Sequence, residues 1–351
     1  MNALELQLDY PFGDSLPALG TTIEVAPGVR WLRMVLPFQL NHINLWLLRD
    51  RIDGVEGWSI VDCGISNDDT RAAWETIFAN ELQGLPVLRV VVTHMHPDHI
   101  GLSHWLTERW NVRLWVSATD YNAARVASGG LAPIGGEATA RFMASHGLTD
   151  PDSQAQIKAR TSYYPNMVPK LPASYRRLMG GDTLRIGEHD WVCHAGYGHA
   201  PEHMSLHCPA LGVLISGDMV LPRISTNVSV YETEPEANPL RLYLSSLGRM
   251  KALPADTLVL PAHGRPFRGL HTRLDQLVAH HDERFADVLT ACAEAPKHAA
   301  DLLMLLFRRK LDLHQTTFAM GESVAHLHAL WFTGQLARRR DADGVYRFTR
   351  A

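Results

Sequence analysis

Cysteine is scarce in this chain of 351 residues, which contains only Cys63, Cys193, Cys208 and Cys292. No two of them form a Cys-x-x-Cys pair, and four are too few for a disulfide framework, so we expect a reducing, cytoplasmic location. Long apolar runs are absent too, since none approaches the roughly 20 residues that a membrane span needs. The first residues lack the basic and apolar segments of a signal peptide. These absences predict a protein without a membrane anchor.

A large excess of charge of one sign is also missing. Lys and Arg number 33 and Asp and Glu number 37, which gives a net charge of −4. This balance argues against a protein held to nucleic acid or to an anionic membrane by bulk charge, although it permits a local basic patch. Hydrophobic residues make up 46% and charged residues 20%, as in folded globular proteins. At about 150 residues per domain, the length predicts two domains.

Histidine, by contrast, is plentiful, with 19 residues. Three of them lie in the segment T-H-M-H-P-D-H at positions 93–99, directly after the apolar run Leu88–Val92, which predicts a buried strand. Side chains two residues apart on an extended chain share a side. His94 and His96 can therefore reach one ion together.

The same segment offers ligands for a second ion. Pro97 favours leaving the strand, and the pattern that follows predicts a helix over residues 98–110. Asp98 and His99 lie at the turn into that helix, where their side chains can point to an ion beside the first. Three histidines and an aspartate packed this closely point to metal binding, since histidine is the commonest metal ligand in proteins.

Further residues of ligand type stand at the ends of other predicted strands. Asp62 precedes Gly64, His199 and His203 belong to G-H-A-P-E-H, Asp218 ends L-I-S-G-D, and His263 belongs to P-A-H-G. Each would be a weak signal alone. Together they repeat one arrangement, in which a buried strand delivers a histidine or aspartate to one rim of a sheet. Sites on strand ends are held firmly by the sheet behind them.

In these motifs the chain resembles the metallo-β-lactamase superfamily. The H-x-H-x-D-H motif, the G-H-x-P-x-H element, S-G-D, P-x-H-G and the early D-x-G occur in the family order over residues 30–267. The resemblance implies an α+β fold: a four-layer αββα sandwich over residues 1–270, with a helical insertion at about 118–180, and a small helical, winged-helix-like domain over residues 271–351.

The resemblance also implies the role of each motif residue. Two divalent metal ions are expected, for which nitrogen and carboxylate ligands suit Zn and also admit Fe or Mn. The first ion would be held by His94, His96 and His199, the second by Asp98, His99 and His263, with Asp218 bridging them. Asp62 would accept a hydrogen bond from the site and orient it; a carboxylate that only caps a turn is the alternative.

Two cations about 3.5–4 Å apart would acidify a bridging water, and the resulting hydroxide would attack an electrophilic carbonyl or phosphorus. Asp98 could take part in proton transfer. His203 could polarise the carbonyl or protonate the leaving group, or it could simply cap a turn. The resemblance therefore implies a dinuclear metallo-hydrolase that needs no serine or cysteine nucleophile.

An aspartate at the bridging position resembles the thioesterases, lactonases and nucleases of the superfamily more than its β-lactamases. With the near-neutral charge, this favours a small-molecule acyl thioester, ester or lactone as substrate. A redox or sulfur-oxidising iron protein, or a non-catalytic member of the family, is the third alternative. Iron-based relatives often use fewer of these ligands, so the complete set argues against it.

The C-terminal region carries a second resemblance. The motif Gly321-Glu322-x-x-Ala325-His326-Leu327 lies in the third of three predicted helices and is followed by a predicted hairpin at Asp343-Gly344. It resembles the winged-helix-like tail of the LACTB2-like subgroup. Some relatives with this tail cleave single-stranded RNA, so a ribonuclease is the second alternative. Arg338–Arg340 would then contact phosphates; a solvated helix end is the simpler interpretation. His326 and His328 are predicted to be core or surface histidines away from the metals.

Overall fold

The fold contains two main β-sheets. The structure is a computed structural model and describes residues 3–131 and 135–351, so residues 132–134 of the predicted insertion lie outside it. The first sheet contains Ile23–Ala26 (β1), Val29–Val35 (β2), His42–Ile52 (β3), Val55–Val61 (β4), Val87–Val91 (β5), Leu114–Ser117 (β6) and Tyr175–Leu178 (β7). These strands lie in chain order, antiparallel from β1 to β4 and parallel from β4 to β7.

The second sheet follows in the chain. Its strands are Thr183–Ile186 (β8), His189–Gly196 (β9), His203–Cys208 (β10), Val213–Gly217 (β11) and Leu258–Pro261 (β12). Their order is β12-β11-β10-β9-β8, and only the β11–β12 pair is parallel. A separate C-terminal hairpin pairs Leu336–Arg340 (β13) with Tyr346–Arg350 (β14).

Helices cover the outer faces of both sheets. In the described part of the chain they are Asp68–Asn80 (α1), Pro97–Ile100 (α2), Ser103–Trp110 (α3), Ala118–Ser128 (α4), Gly136–Ser145 (α5), Pro151–Ala159 (α6), Tyr163–Met167 (α7), Pro239–Met250 (α8), Leu270–Glu294 (α9), Leu303–Phe307 (α10) and Leu313–Phe332 (α11), with short 3-10 turns at Glu5–Gln7 and Ala299–Leu302. None of these helices is long and apolar enough to cross a membrane.

Strand β3 shows how the layers are built. Its side chains alternate: Leu45 and Leu47 pack towards the helices outside the first sheet, whereas Trp46 and Leu48 pack towards the second sheet. A strand buried on both faces needs such a continuous apolar run. A third apolar cluster packs α8, α9 and α11 against the outer face of the second sheet. The predicted four-layer αββα sandwich is therefore confirmed.

The predicted helix over residues 98–110 is wrong as one continuous element. It is broken between α2 and α3, because the backbone there bonds to the loop after β4. The His99 carbonyl accepts from the Cys63 N–H at 2.7 Å, and the Leu102 N–H donates to the Gly64 carbonyl at 3.1 Å. These bonds replace helical ones and hold the metal-binding segment against the first sheet.

Two further expectations need correction. The insertion at 118–180 contains the helices α4 to α7, but its last residues form β7, which pairs in parallel with β6. Arg338–Arg340 do not end a helix. Helix α11 stops at Phe332, Gly334 takes a positive φ of 73°, and the arginines lie in β13, where Arg338 faces Phe348 of β14.

Candidate metal centre

The loop after β5 places the first two histidines. The chain leaves the strand at Val91, and His96 keeps an extended backbone (φ −63°, ψ 146°) immediately before α2. His94 and His96 therefore lie two residues apart on extended chain, as the sequence predicts. Their ring nitrogens, His94 Nε2 and His96 Nδ1, are 2.9 Å apart.

The first group of possible ligands contains His94, His96, His199 and Asp218, whose ligand atoms all lie within 4.8 Å of one another. His199 Nε2 is 3.2 Å from His94 Nε2 and 3.1 Å from Asp218 Oδ2. The second group contains Asp98, His99 and His263, within the same limit. His263 Nε2 is 3.4 Å and His99 Nε2 is 3.8 Å from Asp98 Oδ2.

Asp218 connects the two groups. Its Oδ2 atom faces the first group, and its Oδ1 atom lies 3.5 Å from both His99 Nε2 and His263 Nε2 in the second. Asp218 directly follows β11, where Gly217 has a φ of 51° and a Cβ atom would collide with the His203 ring. Glycine is required at 217 for the chain to turn and present both oxygens of Asp218 to the site.

The spacing of these atoms fits bound cations. Four ligands at 2.0–2.1 Å from a tetrahedral Zn²⁺ lie about 3.3 Å from each other. Three contacts within the first group are 2.9–3.2 Å long, and His94 Nε2 lies 4.0 Å from Asp218 Oδ2. His99 Nε2 and Asp218 Oδ1 are buried and have no hydrogen-bond partner among the described residues. A buried polar atom without a partner is unfavourable, and a metal ion would satisfy both.

Hydrogen bonds on the far side of the rings aim the free nitrogens inward. His199 Nδ1 lies 2.7 Å from the Asn227 carbonyl, and His263 Nδ1 lies 2.7 Å from the His42 carbonyl. A carbonyl only accepts, so Nδ1 carries the proton in both rings and Nε2 keeps its lone pair for the site.

Asp62 fixes His99 in the same way. Its Oδ2 is 2.8 Å from His99 Nδ1, and its Oδ1 accepts from the Thr93 N–H at 2.8 Å. Asp62 itself has a φ of 62°, a left-handed conformation that aspartate tolerates better than larger residues. The carboxylate that sequence reasoning placed behind the site thus lies in contact with a ligand ring.

Charge within the cluster favours a cation. Burial and the neighbouring histidines lower the pKa of His94 and His96 well below the ordinary value, so both rings are neutral and their lone pairs are free. Burial opposes ionisation of Asp218, but His263 and His99 lower its pKa well below the usual range. Against the effect of burial, Asp62, Asp98 and Asp218 raise the pKa of His99. Negative charge thus surrounds the position offered to a metal.

His203 lies behind the ligands. Its side chain is fully buried, and its Nε2 accepts from the backbone N–H of Asp218 at 3.2 Å. Burial, followed by the charge of His199, lowers the pKa of His203 to about 3, so the ring is neutral near pH 7. In this position His203 contacts the backbone of Asp218.

Several residues that support the site were missed by sequence reasoning. Asn227 and His42 use backbone carbonyls, which any residue type could supply, so no side-chain pattern signals them. Thr93 was within the motif, but its hydroxyl contacts with Asp62 depend on the fold. Tyr164 donates its hydroxyl to the Met95 carbonyl at 2.5 Å, and Asp120 accepts from the Met95 N–H at 2.8 Å. These bonds clamp the backbone between His94 and His96.

The C-terminal helix α11 reaches the site through Asn227. Glu322 Oε2 accepts from Asn227 Nδ2 at 3.0 Å, and the Gly321 carbonyl accepts from the Val230 N–H at 3.1 Å. A Cβ atom at Gly321 would lie 2.7 Å from Ser229, so glycine permits this close approach. The Gly-Glu pair of the C-terminal motif thus holds the segment that orients His199.

Glu322 predicts a measurable pH dependence of stability. Burial raises the pKa of Glu322 from 4.5 to about 7. The neutral carboxyl therefore contributes its full stabilisation of the fold below pH 4.5, and this contribution is lost as the pH rises through 7. Nearby His326, with a pKa lowered to about 4, and Tyr243 stay neutral in this range. At 1.36 kcal/mol per pKa unit, Glu322→Gln is expected to unfold with a free energy about 3 kcal/mol higher at pH 8.5 and about 1 kcal/mol higher at pH 5.

Urea unfolding at the two pH values measures this effect. Glu283→Gln, at a side chain 72% exposed on α9, is the matched control and should show no such difference. A Glu322→Gln protein that is less stable than the wild type at both pH values would contradict the expectation.

The remaining candidates of the C-terminal region lie apart from the metal ligands. Arg338 pairs with Glu236 at 2.5 Å and Arg339 with Asp341 at 2.8 Å, which leaves them poorly placed to bind phosphates. His326 and His328 are buried in the apolar core, as expected, with 1% and 0% exposure.

The chain is similar over its whole length to known metallo-β-lactamase-type proteins. The family model "Metallo-beta-lactamase superfamily" matches residues 40–263, and "Metallo-beta-lactamase-like, C-terminal domain" matches residues 285–351. A crystal structure of a beta-lactamase domain protein from Burkholderia ambifaria is 58% identical, covers 100% of both chains and has a TM-score of 0.95.

Two more distant proteins agree with this match. A metallo-beta-lactamase family protein from Thermus thermophilus is 28% identical, with a TM-score of 0.76 over 93% of this chain and 100% of its own. The probable metallo-hydrolase YqjP of Bacillus subtilis (strain 168) is 23% identical over 319 residues, which is 90% of this chain and 96% of that protein.

Proposed function

Because this chain belongs to the metallo-beta-lactamase superfamily and is a metallo-hydrolase, we propose that it uses two divalent cations to hydrolyse an acyl thioester, ester or lactone. One observation carries the proposal: the two oxygens of Asp218 face two separate groups of ligand atoms. A single carboxylate between two such groups is the arrangement that a bridged pair of cations requires. Zn is the metal proposed, since its ligand distances fit the first group.

The proposed division of labour follows the contacts. His94, His96 and His199 would hold one cation, Asp98, His99 and His263 would hold the other, and Asp218 would contact both. When bound, the cations would polarise the scissile carbonyl and lower the pKa of the attacking water.

Three side chains are proposed to orient the site or to move a proton. Asp62 keeps the His99 ring in the tautomer whose Nε2 faces the site. Asp98, with a side chain 19% exposed against 10% for Asp218, is the carboxylate that we propose to accept the proton of the attacking water and pass it to the leaving group. His203 is proposed as a positioning residue, because its neutral ring contacts the Asp218 backbone.

We also propose a division into two domains, a subgroup and a location for this protein. The matched ranges 40–263 and 285–351 support a catalytic domain over residues 1–270 followed by a second domain from 271. Helices α9 to α11 followed by the β13–β14 hairpin support a winged-helix-like fold and membership of the LACTB2-like subgroup. All four cysteines are buried and free, which supports a reducing cytoplasmic location.

Hydrolysis by metal-loaded protein tests the proposed function. We expect turnover of at least one member of a panel of acyl thioesters, aryl esters and lactones, loss of at least about a thousandfold in kcat/KM after chelation, and recovery on adding Zn²⁺. A thousandfold corresponds to the several kcal/mol that metal ions supply to such reactions.

The panel includes a single-stranded RNA as the competing substrate. Cleavage of the RNA without turnover of any acyl substrate would contradict the acyl-hydrolase proposal and favour a ribonuclease. Acyl turnover that persists in full without metal would contradict the proposed use of cations.

A further inference from the structure

Arg160 is a half-buried cation without an anionic partner. It lies in the turn between α6 and α7, and no carboxylate of the described residues is within 4.0 Å of its guanidinium. Its Nη2 donates to His314 Nδ1 at 2.9 Å, and its Nη1 lies 3.5 Å from Thr317 Oγ1. The guanidinium carbon sits 3.7 Å from the centroid of the Tyr163 ring. Burial lowers the pKa of His314, so this partner is neutral too.

The turn that carries Arg160 is attached to the metal-binding loop. Tyr164 donates its hydroxyl to the Met95 carbonyl, between His94 and His96, and α7 packs against α2, which carries Asp98. Burial raises the pKa of Tyr163 to about 12; the charge of Arg160 opposes this rise, and the charge of Asp98 adds to it. Arg160 therefore lies on a segment that contacts both the loop of His94 and His96 and the helix of Asp98.

Aromatic side chains from three parts of the chain meet at His314, the hydrogen-bond partner of this cation. The His314 ring lies 5.7 Å from Phe38, 5.6 Å from Tyr163 and 5.0 Å from Phe318, measured between ring centroids. Phe38 belongs to the loop after β2, Tyr163 to α7, and His314 and Phe318 to α11. We call these four residues and Arg160 the Arg160 rim. Such rings offer flat apolar faces to a ligand.

A second unpaired cation lies beside the rim. Arg309 contacts Gln39, the neighbour of Phe38, at 3.2 Å, and no carboxylate of the described chain lies within 4.0 Å of it either. Two arginines without a carboxylate within 4.0 Å among the described residues thus lie at the Arg160 rim.

We propose that Arg160 recognises an anionic group, a carboxylate or a phosphate, on the substrate hydrolysed at the metal centre. The guanidinium presents a planar fork of donors that matches both groups. An anion would complete the hydrogen bonding of a partly desolvated cation, while Tyr163 and His314 hold the fork in place. The inference rests on the proposed function and adds the substrate class to it: an acyl compound that carries negative charge at a distance from the scissile bond.

Two pairs of thioesters test where the anion lies. In the first pair the acyl side differs: succinyl and butyryl thioesters of N-acetylcysteamine, which share a four-carbon acyl chain. In the second pair the thiol side differs: butyryl thioesters of 4′-phosphopantetheine and of pantetheine. The readout is the ratio of kcat/KM for the charged and neutral members, measured with metal-loaded wild type, Arg160→Gln and Arg160→Lys.

We expect the wild type to prefer the charged member of one pair by roughly tenfold to a hundredfold, as hydrogen bonds to charged groups imply. Arg160→Gln should bring that ratio close to one, and Arg160→Lys should retain part of it. Arg125→Gln is the matched control, because Arg125 also stacks on a tyrosine of the insertion, Tyr121; its ratio should equal that of the wild type.

A purely structural role for Arg160 gives a different result. The substitution would then lower kcat/KM for charged and neutral members together and leave the ratio unchanged, which would overturn the inference. A wild type without preference in either pair would overturn it as well.

Failure of the proposed function can be told apart from failure of this inference. If the wild type hydrolyses no thioester, calorimetric binding of N-butylsuccinamate and of neutral N-butylbutyramide to the metal-loaded proteins replaces turnover. Tighter binding of the anion by the wild type that is lost in Arg160→Gln would support anion recognition. Equal affinities, or a preference that survives the substitution, would overturn it.

Discussion

Replacing Asp218 with asparagine is expected to reduce kcat/KM by at least about a thousandfold and to leave the protein with one bound metal ion or none. Asp218 supplies one anionic oxygen to each ligand group, with Oδ2 3.1 Å from His199 Nε2 and Oδ1 3.5 Å from His263 Nε2. Asparagine has the same shape but a single, neutral oxygen. The lost stabilisation is several kcal/mol, and each 1.36 kcal/mol is a factor of ten in rate.

Metal content by inductively coupled plasma mass spectrometry, together with steady-state kinetics, measures both effects. Asp190→Asn is the control: this aspartate lies on β9 of the same sheet, but its side chain is 62% exposed, so metal content and rate should not change. An Asp218→Asn protein that still holds two ions and keeps full activity would show that Asp218 does not bridge.

The second large effect is expected at Asp62, where asparagine should weaken the affinity for the second metal by roughly tenfold to a hundredfold. Asparagine keeps an oxygen for the Thr93 N–H but places an NH₂ group opposite His99 Nδ1–H, where the carboxylate now accepts at 2.8 Å. Two donors cannot share that contact, so His99 must shift its proton or its ring. Asparagine tolerates the positive φ of 62°, so the backbone is not strained.

A competition titration with a chromophoric chelator measures this affinity. Asp68→Asn serves for comparison, because the Asp68 side chain is 99% exposed and forms an ion pair with Arg71 on the protein surface. Unchanged affinity in Asp62→Asn would mean that Asp62 caps a turn and has no influence on the metal, which was the alternative interpretation of this residue.

Sequence reasoning predicted the candidate ligands that lie together in the structure, because metal binding needs particular side chains at particular spacings. His94 and His96 share a side because they are two residues apart, and His199, Asp218 and His263 follow strands that the fold brings to one edge. The buried strands could be predicted from their apolar runs, because both faces of such a strand are covered. Leu45 and Trp46 pack on opposite apolar faces of β3.

What sequence reasoning missed depends on the backbone or on distant contacts. His263 is oriented by the carbonyl of His42, which leaves no trace in residue type. The Arg160 rim combines residues from a loop, an insertion helix and a C-terminal helix. No local sequence pattern predicts that Phe38, Tyr163 and His314 lie in contact. The predicted helix end at Arg338–Arg340 is a strand, because charge alone does not distinguish a helix terminus from an exposed strand.

The central claim is that seven side chains hold two cations with Asp218 between them. Anomalous diffraction from crystals of zinc-loaded protein, collected on both sides of the zinc edge, tests it most directly. The account predicts two peaks per chain, one among His94, His96 and His199, the other among Asp98, His99 and His263, each in contact with one oxygen of Asp218. A single peak, or peaks away from these residues, would contradict it.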